Sequence, residues 1–75
     1  LKVDKHILIN ENVWFGDNVM ILGGIEIGEG AIIQAGSVVA QNVPKYAIAG
    51  GNPAKIFKYR NIDHYKKLKS ENKIV

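Results

Sequence analysis

Written in rows of six from Val3, this chain repeats itself. The first column reads Val3, Ile9, Phe15, Ile21, Ile27, Ile33 and Val39, all apolar and all but one β-branched. The fourth reads His6, Asn12, Asn18, Gly24, Gly30, Gly36 and Asn42. Six of these seven are Gly or Asn, residues that fill only a fifth of the chain. The fifth, Ile7, Val13, Val19, Ile25, Ala31, Ser37 and Val43, is small or β-branched throughout. Gly and Asn tolerate a left-handed backbone, so column four supplies a tight corner every six residues. Column one sends a β-branched side chain inward, where stacked strands pack best. Period-two alternation breaks at every sixth residue, which sets plain hairpins aside. A period this short, sustained over seven rows, predicts an all-β solenoid, a parallel β-helix.

Three corners close one triangular coil, so residues eighteen apart lie above one another. Val3, Ile21 and Val39 form one line, Ile9 and Ile27 a second, Phe15 and Ile33 a third. Parallel strands of neighbouring coils then satisfy the backbone donors and acceptors. The pattern predicts coils over 3–44, just over two turns, with a loop and capping helix over 45–75 in the same domain. Stacked repeats usually need at least three units and caps, and the chain opens on Leu1 rather than Met. Both lead to the expectation of further coils upstream in a longer protein. The repeat does not show the hand of the coil.

Composition narrows the function classes. The chain has no cysteine, which fits a reducing compartment and a cytoplasmic protein. No apolar run reaches membrane-spanning length. The net charge of +3 is uneven: residues 1–44 carry two lysines against five acids, and residues 45–75 carry eight cations against Asp63 and Glu71. Such a basic third is either a solvated tail or the seat of an anionic partner. Nucleic acid is not expected, because no aromatic stacking platform accompanies the charge. No metal is expected either; a zinc site of the histidine type needs three histidines, and the chain has two, His6 and His64.

Column six points outward yet reads Leu8, Trp14, Met20, Glu26, Ile32, Val38 and Pro44. An apolar outward column asks for a covering surface. Self-association about a threefold axis and a ligand against Trp14 both meet that demand. Past Pro53, residues 62–70 read as a short amphipathic helix with Tyr65 and Leu68 on one side and Lys66 and Lys67 on the other. Laid over the last coil, it would cap the solenoid. Gly50-Gly51-Asn52-Pro53 reads as a turn.

The ordered runs Asn12-Val13-Trp14-Phe15-Gly16, Ile27-Gly28-Glu29-Gly30-Ala31, Ala35-Gly36-Ser37-Val38-Val39 and Gly51-Asn52-Pro53-Ala54-Lys55 resemble the hexapeptide-repeat acyltransferases, in particular the sugar O-acetyltransferases and the xenobiotic acetyltransferases. The resemblance covers about residues 5–60. It implies a left-handed parallel β-helix, a homotrimer, and acetyl-CoA held between neighbouring subunits. Residue by residue, it places Trp14 beside the active-site groove and Asp17 at a small polar contact. Ala35 falls where the backbone follows the pantetheine arm. Ala40 and Gln41 replace a usual Thr-Lys pair, and Lys55 and Lys58 take basic positions that meet the nucleotide phosphates. A lysine ammonium serves phosphate as a point charge.

The family's general base, a histidine, lies upstream of the stretch matched, and neither His6 nor His64 falls on it, so no residue here is assigned a catalytic role. The resemblance implies an acetyltransferase acting on a sugar hydroxyl. An amino-sugar nucleotide or xenobiotic acceptor, and a non-catalytic trimerisation module, remain as alternatives.

Overall fold

The computed structural model describes residues 2–3 and 6–71. Among these described residues, nine strands and one helix follow in order: β1 (Lys2–Val3), β2 (Leu8–Ile9), β3 (Trp14–Phe15), β4 (Met20–Ile21), β5 (Glu26–Ile27), β6 (Ile32–Ile33), β7 (Val38–Val39), β8 (Ala47–Gly51), β9 (Ala54–Tyr59) and α1 (Ile62–Ser70). Parallel pairing sorts them onto three faces. Face I is β1-β4-β7, face II is β2-β5 with a bridge to Val43, and face III is β3-β6-β8-β9. The register is the eighteen-residue one: Val3 pairs with Ile21, Ile9 with Ile27, Phe15 with Ile33 and Ile21 with Val39. Each lower coil donates to the one above it, as Gly16 N–H does to the Ile33 carbonyl at 2.8 Å.

Column one and column five form the core. Ile21, Ile27, Ile33, Val39, Val19, Ala31 and Ser37 are buried. Column four turns the corners with positive φ at His6, Asn12, Asn18, Gly24, Gly30 and Gly36. Asn42 does not join them, because the period breaks there. Ile27 pairs with Val43 and Ile33 with Ala49, both sixteen apart rather than eighteen. The corner after Val39 is therefore two residues shorter than its predecessors. Val43 becomes a column-one residue instead of column five, and Pro44 leaves the outward column. Tyr46 becomes the next left-handed corner, at φ 65°.

The shortening removes a backbone acceptor above Glu26, and Asn42 replaces it: Glu26 N–H donates to Asn42 Oδ1 at 2.8 Å. The coils thus continue past 44 to Ala49, one side further than the sixfold pattern predicts. Buried Ser37 meets a similar need. Its hydroxyl donates to the Gln34 carbonyl and accepts from Gly51 N–H.

The stretch expected as a loop holds the hairpin β8–β9, turning at 52–53. A bulge opposite Ile48 and Ala49 makes residues three apart share a side of β9: Ile56 pairs with Ala49 and Tyr59 with Ala47. That is why Ile56 and Tyr59 imitate helical spacing in the sequence.

The helix α1 spans 62–70 as its pattern predicts, capped by Asn61, whose side chain accepts from His64 N–H at 2.8 Å. Its place differs from the expected one. It runs down the corner between faces II and III instead of lying over the last coil. Buried Tyr65 packs against Gly30, stands 5.1 Å from the Tyr46 ring, and hydrogen-bonds Asn12 and Glu29. Lys69 reaches Glu11 at 2.8 Å and Glu29 at 2.7 Å. The two glutamates are eighteen apart and stack on this corner. Like charges one strand spacing apart repel, and the lysine between them removes the penalty.

Two glycines separate strain from contact. Gly24 sits at φ 79°, and a Cβ added there would meet nothing within 4 Å, whereas Gly30, at φ 72°, would set a Cβ 2.8 Å from the Tyr65 ring. Gly24→Ala should cost about 1–2 kcal/mol, the ordinary left-handed penalty. Gly30→Ala should lose about 1–3 kcal/mol more by overpacking. Urea denaturation of the two variants checks the order; equal losses would mean that Tyr65 does not rest on Gly30.

Candidate functional site

The outward column divides among the three faces. Met20 and Val38 are neighbours on face I, Trp14, Ile32 and Ile48 on face III, and Leu8 stands on face II with Glu26. What reads as one apolar column in sequence is therefore two apolar lines, on faces I and III, flanking a common corner. Trp14 remains 45% exposed and Met20 40%.

That common corner carries Asp17 and Ala35, one coil apart. The corners stack: Gly36, next after Ala35, donates its N–H to the Asp17 carbonyl at 2.8 Å. A Cβ on Gly16 would collide with the Ala35 backbone. Ala40 and Gln41 occupy the shortened corner between faces I and II. Above them the solenoid ends in a cavity of about 280 Å³ lined by Gln41, Asn42, Val43, Ala49, Ala54, Lys55 and Ile56. The two-residue contraction brings the Gln41 corner and β9 to the same cavity, which Gln41 and Lys55 both line.

Lys55 pairs with Gly50 across the hairpin and Lys58 with Ile48. Directly opposed residues share a side of a sheet, so both lysines lie on the outer side of face III, above Ile32 and Trp14. The structure thus places Lys55 and Lys58 on one side of β9, Lys55 and Gln41 on the lining of one cavity, and Asp17 and Ala35 on one corner; Trp14 lies below the lysines on their own face. His6 and His64 are both exposed, one at a coil corner and one in the first turn of α1. Among the described residues no three His, Cys, Asp or Glu side chains gather as a metal group.

Electrostatics divides the basic third in two. Lys69 is bound by Glu11 and Glu29. Arg60 donates from Nη1 to the Gly30 carbonyl at 3.0 Å and lies 4.8 Å from the centre of the Tyr65 ring. Among the described residues the ion pairs of 4 Å or less are those of Lys69, so Lys55 and Lys58 are exposed cations without a carboxylate partner. The sequence signal for this division was the stacked pair Glu11 and Glu29, which demands one cation from elsewhere.

Residues 6–41 match the family model described as Bacterial transferase hexapeptide (six repeats). This repeat region belongs to the hexapeptide-repeat transferase family. A chloramphenicol acetyltransferase of Klebsiella aerogenes is 48% identical over 56 residues, 75% of this chain and 27% of that protein. A maltose O-acetyltransferase structure from Clostridium difficile 630 is 42% identical with a TM-score of 0.72, over 73% of this chain and 29% of that one. A galactoside acetyltransferase solved in complex with coenzyme A is 36% identical with a TM-score of 0.73, over 79% and 30%. This hexapeptide-repeat chain spans under a third of the length of each. No helix among its described residues is long and apolar enough to cross a membrane.

The corner that holds α1 is sensitive to pH. The hydrogen bond from Lys69, then that from Tyr65, holds the Glu29 carboxyl below its ordinary value of 4.5. Burial raises the Tyr65 hydroxyl above 10.0, and Glu11 and Glu29 raise Lys69. A lowered carboxyl contributes stability that is present above 4.5 and is lost as pH falls through the folded value. The raised groups contribute stability that is lost only on the alkaline side. Glu29→Gln should therefore be less stable at neutral pH but lose less than the parent on acidification below 4.5. Urea midpoints across that range test it; parallel acid limbs would remove Glu29 from the network.

Proposed function

We propose that this chain forms the coenzyme-binding coils of an acetyl-CoA-dependent acetyltransferase, with a sugar hydroxyl or a similar hydroxyl as acceptor. The observation that carries the reading is the pair of exposed cations Lys55 and Lys58, which have no carboxylate partner among the described residues and share one side of β9, Lys55 lining an open cavity at the end of the solenoid. Lys69 and Arg60 serve the fold, which leaves these two lysines as the cations on face III that are free to meet an anion. The likeness to a galactoside acetyltransferase solved with coenzyme A, and to a maltose O-acetyltransferase, supports both donor and acceptor class. The likeness to a chloramphenicol acetyltransferase favours a second reading, a xenobiotic acceptor with the same donor.

On this reading the coil is left-handed, as the family membership supports, and the lysines supply point charges to the nucleotide phosphates. The corner of Asp17 and Ala35 and the pair Ala40 and Gln41 border the extended pantetheine arm. Such an arm, rich in amides, pairs with backbone much as an added strand does. In a transfer of this kind the acceptor hydroxyl attacks the thioester carbon as a general base takes its proton, and coenzyme A leaves as the thiol. This chain's contribution is to bind and orient the donor. A cysteine-free chain also fits the reducing cytoplasm.

The two apolar lines on faces I and III support assembly as a homotrimer. A threefold contact that covers them would place the corner of Asp17 and Ala35 beside a neighbouring subunit, so the donor would lie between copies. Light scattering on the purified protein should give three copies at micromolar concentration; a stable monomer would overturn the arrangement.

Calorimetry with coenzyme A tests the donor site. Lys55→Glu with Lys58→Glu should weaken binding roughly tenfold or more at low salt, since each exposed charge contact is worth up to about 1 kcal/mol and is here reversed. The loss should shrink at about 1 M salt, where screening acts within about 3 Å. Unchanged affinity in the double variant would remove both lysines from the site.

A further inference from the structure

Lys55 and Lys58 are three residues apart on one strand, yet both pair with positions on the outer side of face III. Regular strand alternation forbids this, because residues three apart face opposite ways. The bulge makes it possible. It divides β9 into a first half, Ala54–Ile56, in register with Ala49–Gly51, and a second, Lys58–Tyr59, in register with Ala47–Ile48. An inserted residue re-aims the side chains beyond it. The hairpin turn ties down only the first half, so the register of the second half needs an anchor of its own.

Arg60 is the residue that follows. Its N–H donates to the Tyr46 carbonyl at 2.7 Å, and its guanidinium donates to the Gly30 carbonyl at 3.0 Å while lying over the Tyr65 ring at 4.8 Å. Tyr46 is itself held at φ 65°, a conformation that a bulky residue rarely adopts. Its own N–H donates to the Glu29 carbonyl at 2.9 Å. The end of β9 is thus pinned to a rigid corner of the second and third coils.

We propose that Arg60 is a positioning residue for coenzyme binding: by anchoring the strand beyond the bulge, it keeps Lys58 on the same outer face as Lys55. The inference rests on the coenzyme reading given above. Arg60 itself touches no part of the donor and acts through Lys58 alone.

A double-mutant cycle on the purified protein separates this role from a merely structural one. Lys58→Met should weaken coenzyme A binding about three- to fivefold at low salt, the range of one exposed charge contact. Arg60→Met should weaken it to a similar extent. The variant with both changes should bind no more weakly than Lys58→Met, because residues acting through one contact are not additive. Lys69→Met is the control. It unties the far end of α1 from Glu11 and Glu29, so it should lower the melting temperature and leave the affinity unchanged. Should Arg60→Met fail to fold, Arg60→Lys, which keeps the backbone donor and the charge but lacks the fork, enters the same cycle with a smaller loss. Additive losses, parent-like affinity in the Arg60 variant, or an equal loss in Lys69→Met would each overturn the proposal while the coenzyme reading stands. A parent protein that binds no coenzyme A would overturn the reading and the proposal together.

Discussion

Each coil closes because one residue in six accepts a left-handed backbone. Two-residue strands leave no length in which to correct a badly aimed turn, so a corner that failed would displace every strand after it. Gly and Asn meet the demand readily at five of the described corners, and the other two depart from that rule, His6 and Tyr46. A tyrosine in this conformation persists only where its surroundings over-determine it. Here they do. Its carbonyl and N–H are both bonded to neighbouring chain, and its ring meets Tyr65. The corner that looks least suited to the fold is the one against which the helix packs.

The coils were legible from the sequence because column identity is a direct imprint of geometry: inward positions are aliphatic and corner positions tolerate positive φ. The pattern stopped being legible at Asn42, where a true asparagine occupies a false corner. Asn42 fits column four by residue type, yet its side chain serves as a substitute acceptor for Glu26 N–H. A residue that both tolerates the left-handed region and offers an amide oxygen reads the same in either role. Only the pairing of Ile27 with Val43 distinguishes them. The bulge in β9 misled in the same way, since an inserted residue converts a period of two into a local period of three.

The candidate site was legible in part, and for a different reason. Lys55 and Lys58 stand out as charges in the sequence, but so do Arg60 and Lys69. Charge shows that a residue seeks an anion without showing which anion. The stacked carboxylates of Glu11 and Glu29 draw Lys69, and the carbonyl of Gly30 draws Arg60. The apolar outward column was likewise visible, while its division onto faces I and III follows only from closing the triangle.

In a solenoid of this kind, hydrogen bonding between coils consumes the backbone groups of the inner strands. What remains for a ligand is the outward side chains, the corners, and the end of the stack. The protein shortens the corner after Val39 by two residues, and a cavity that Gln41 and Lys55 both line lies above it. It then continues face III with an antiparallel strand, which no further coil needs to cover. A bulge is tolerable on that strand because it has a neighbour on one side only. The same bulge inside the stack would throw each later coil out of register. On the coenzyme reading, this is why the phosphate-facing lysines belong on β9: no later coil stacks on it among the described residues, so its side chains can be re-aimed without displacing the coils beneath.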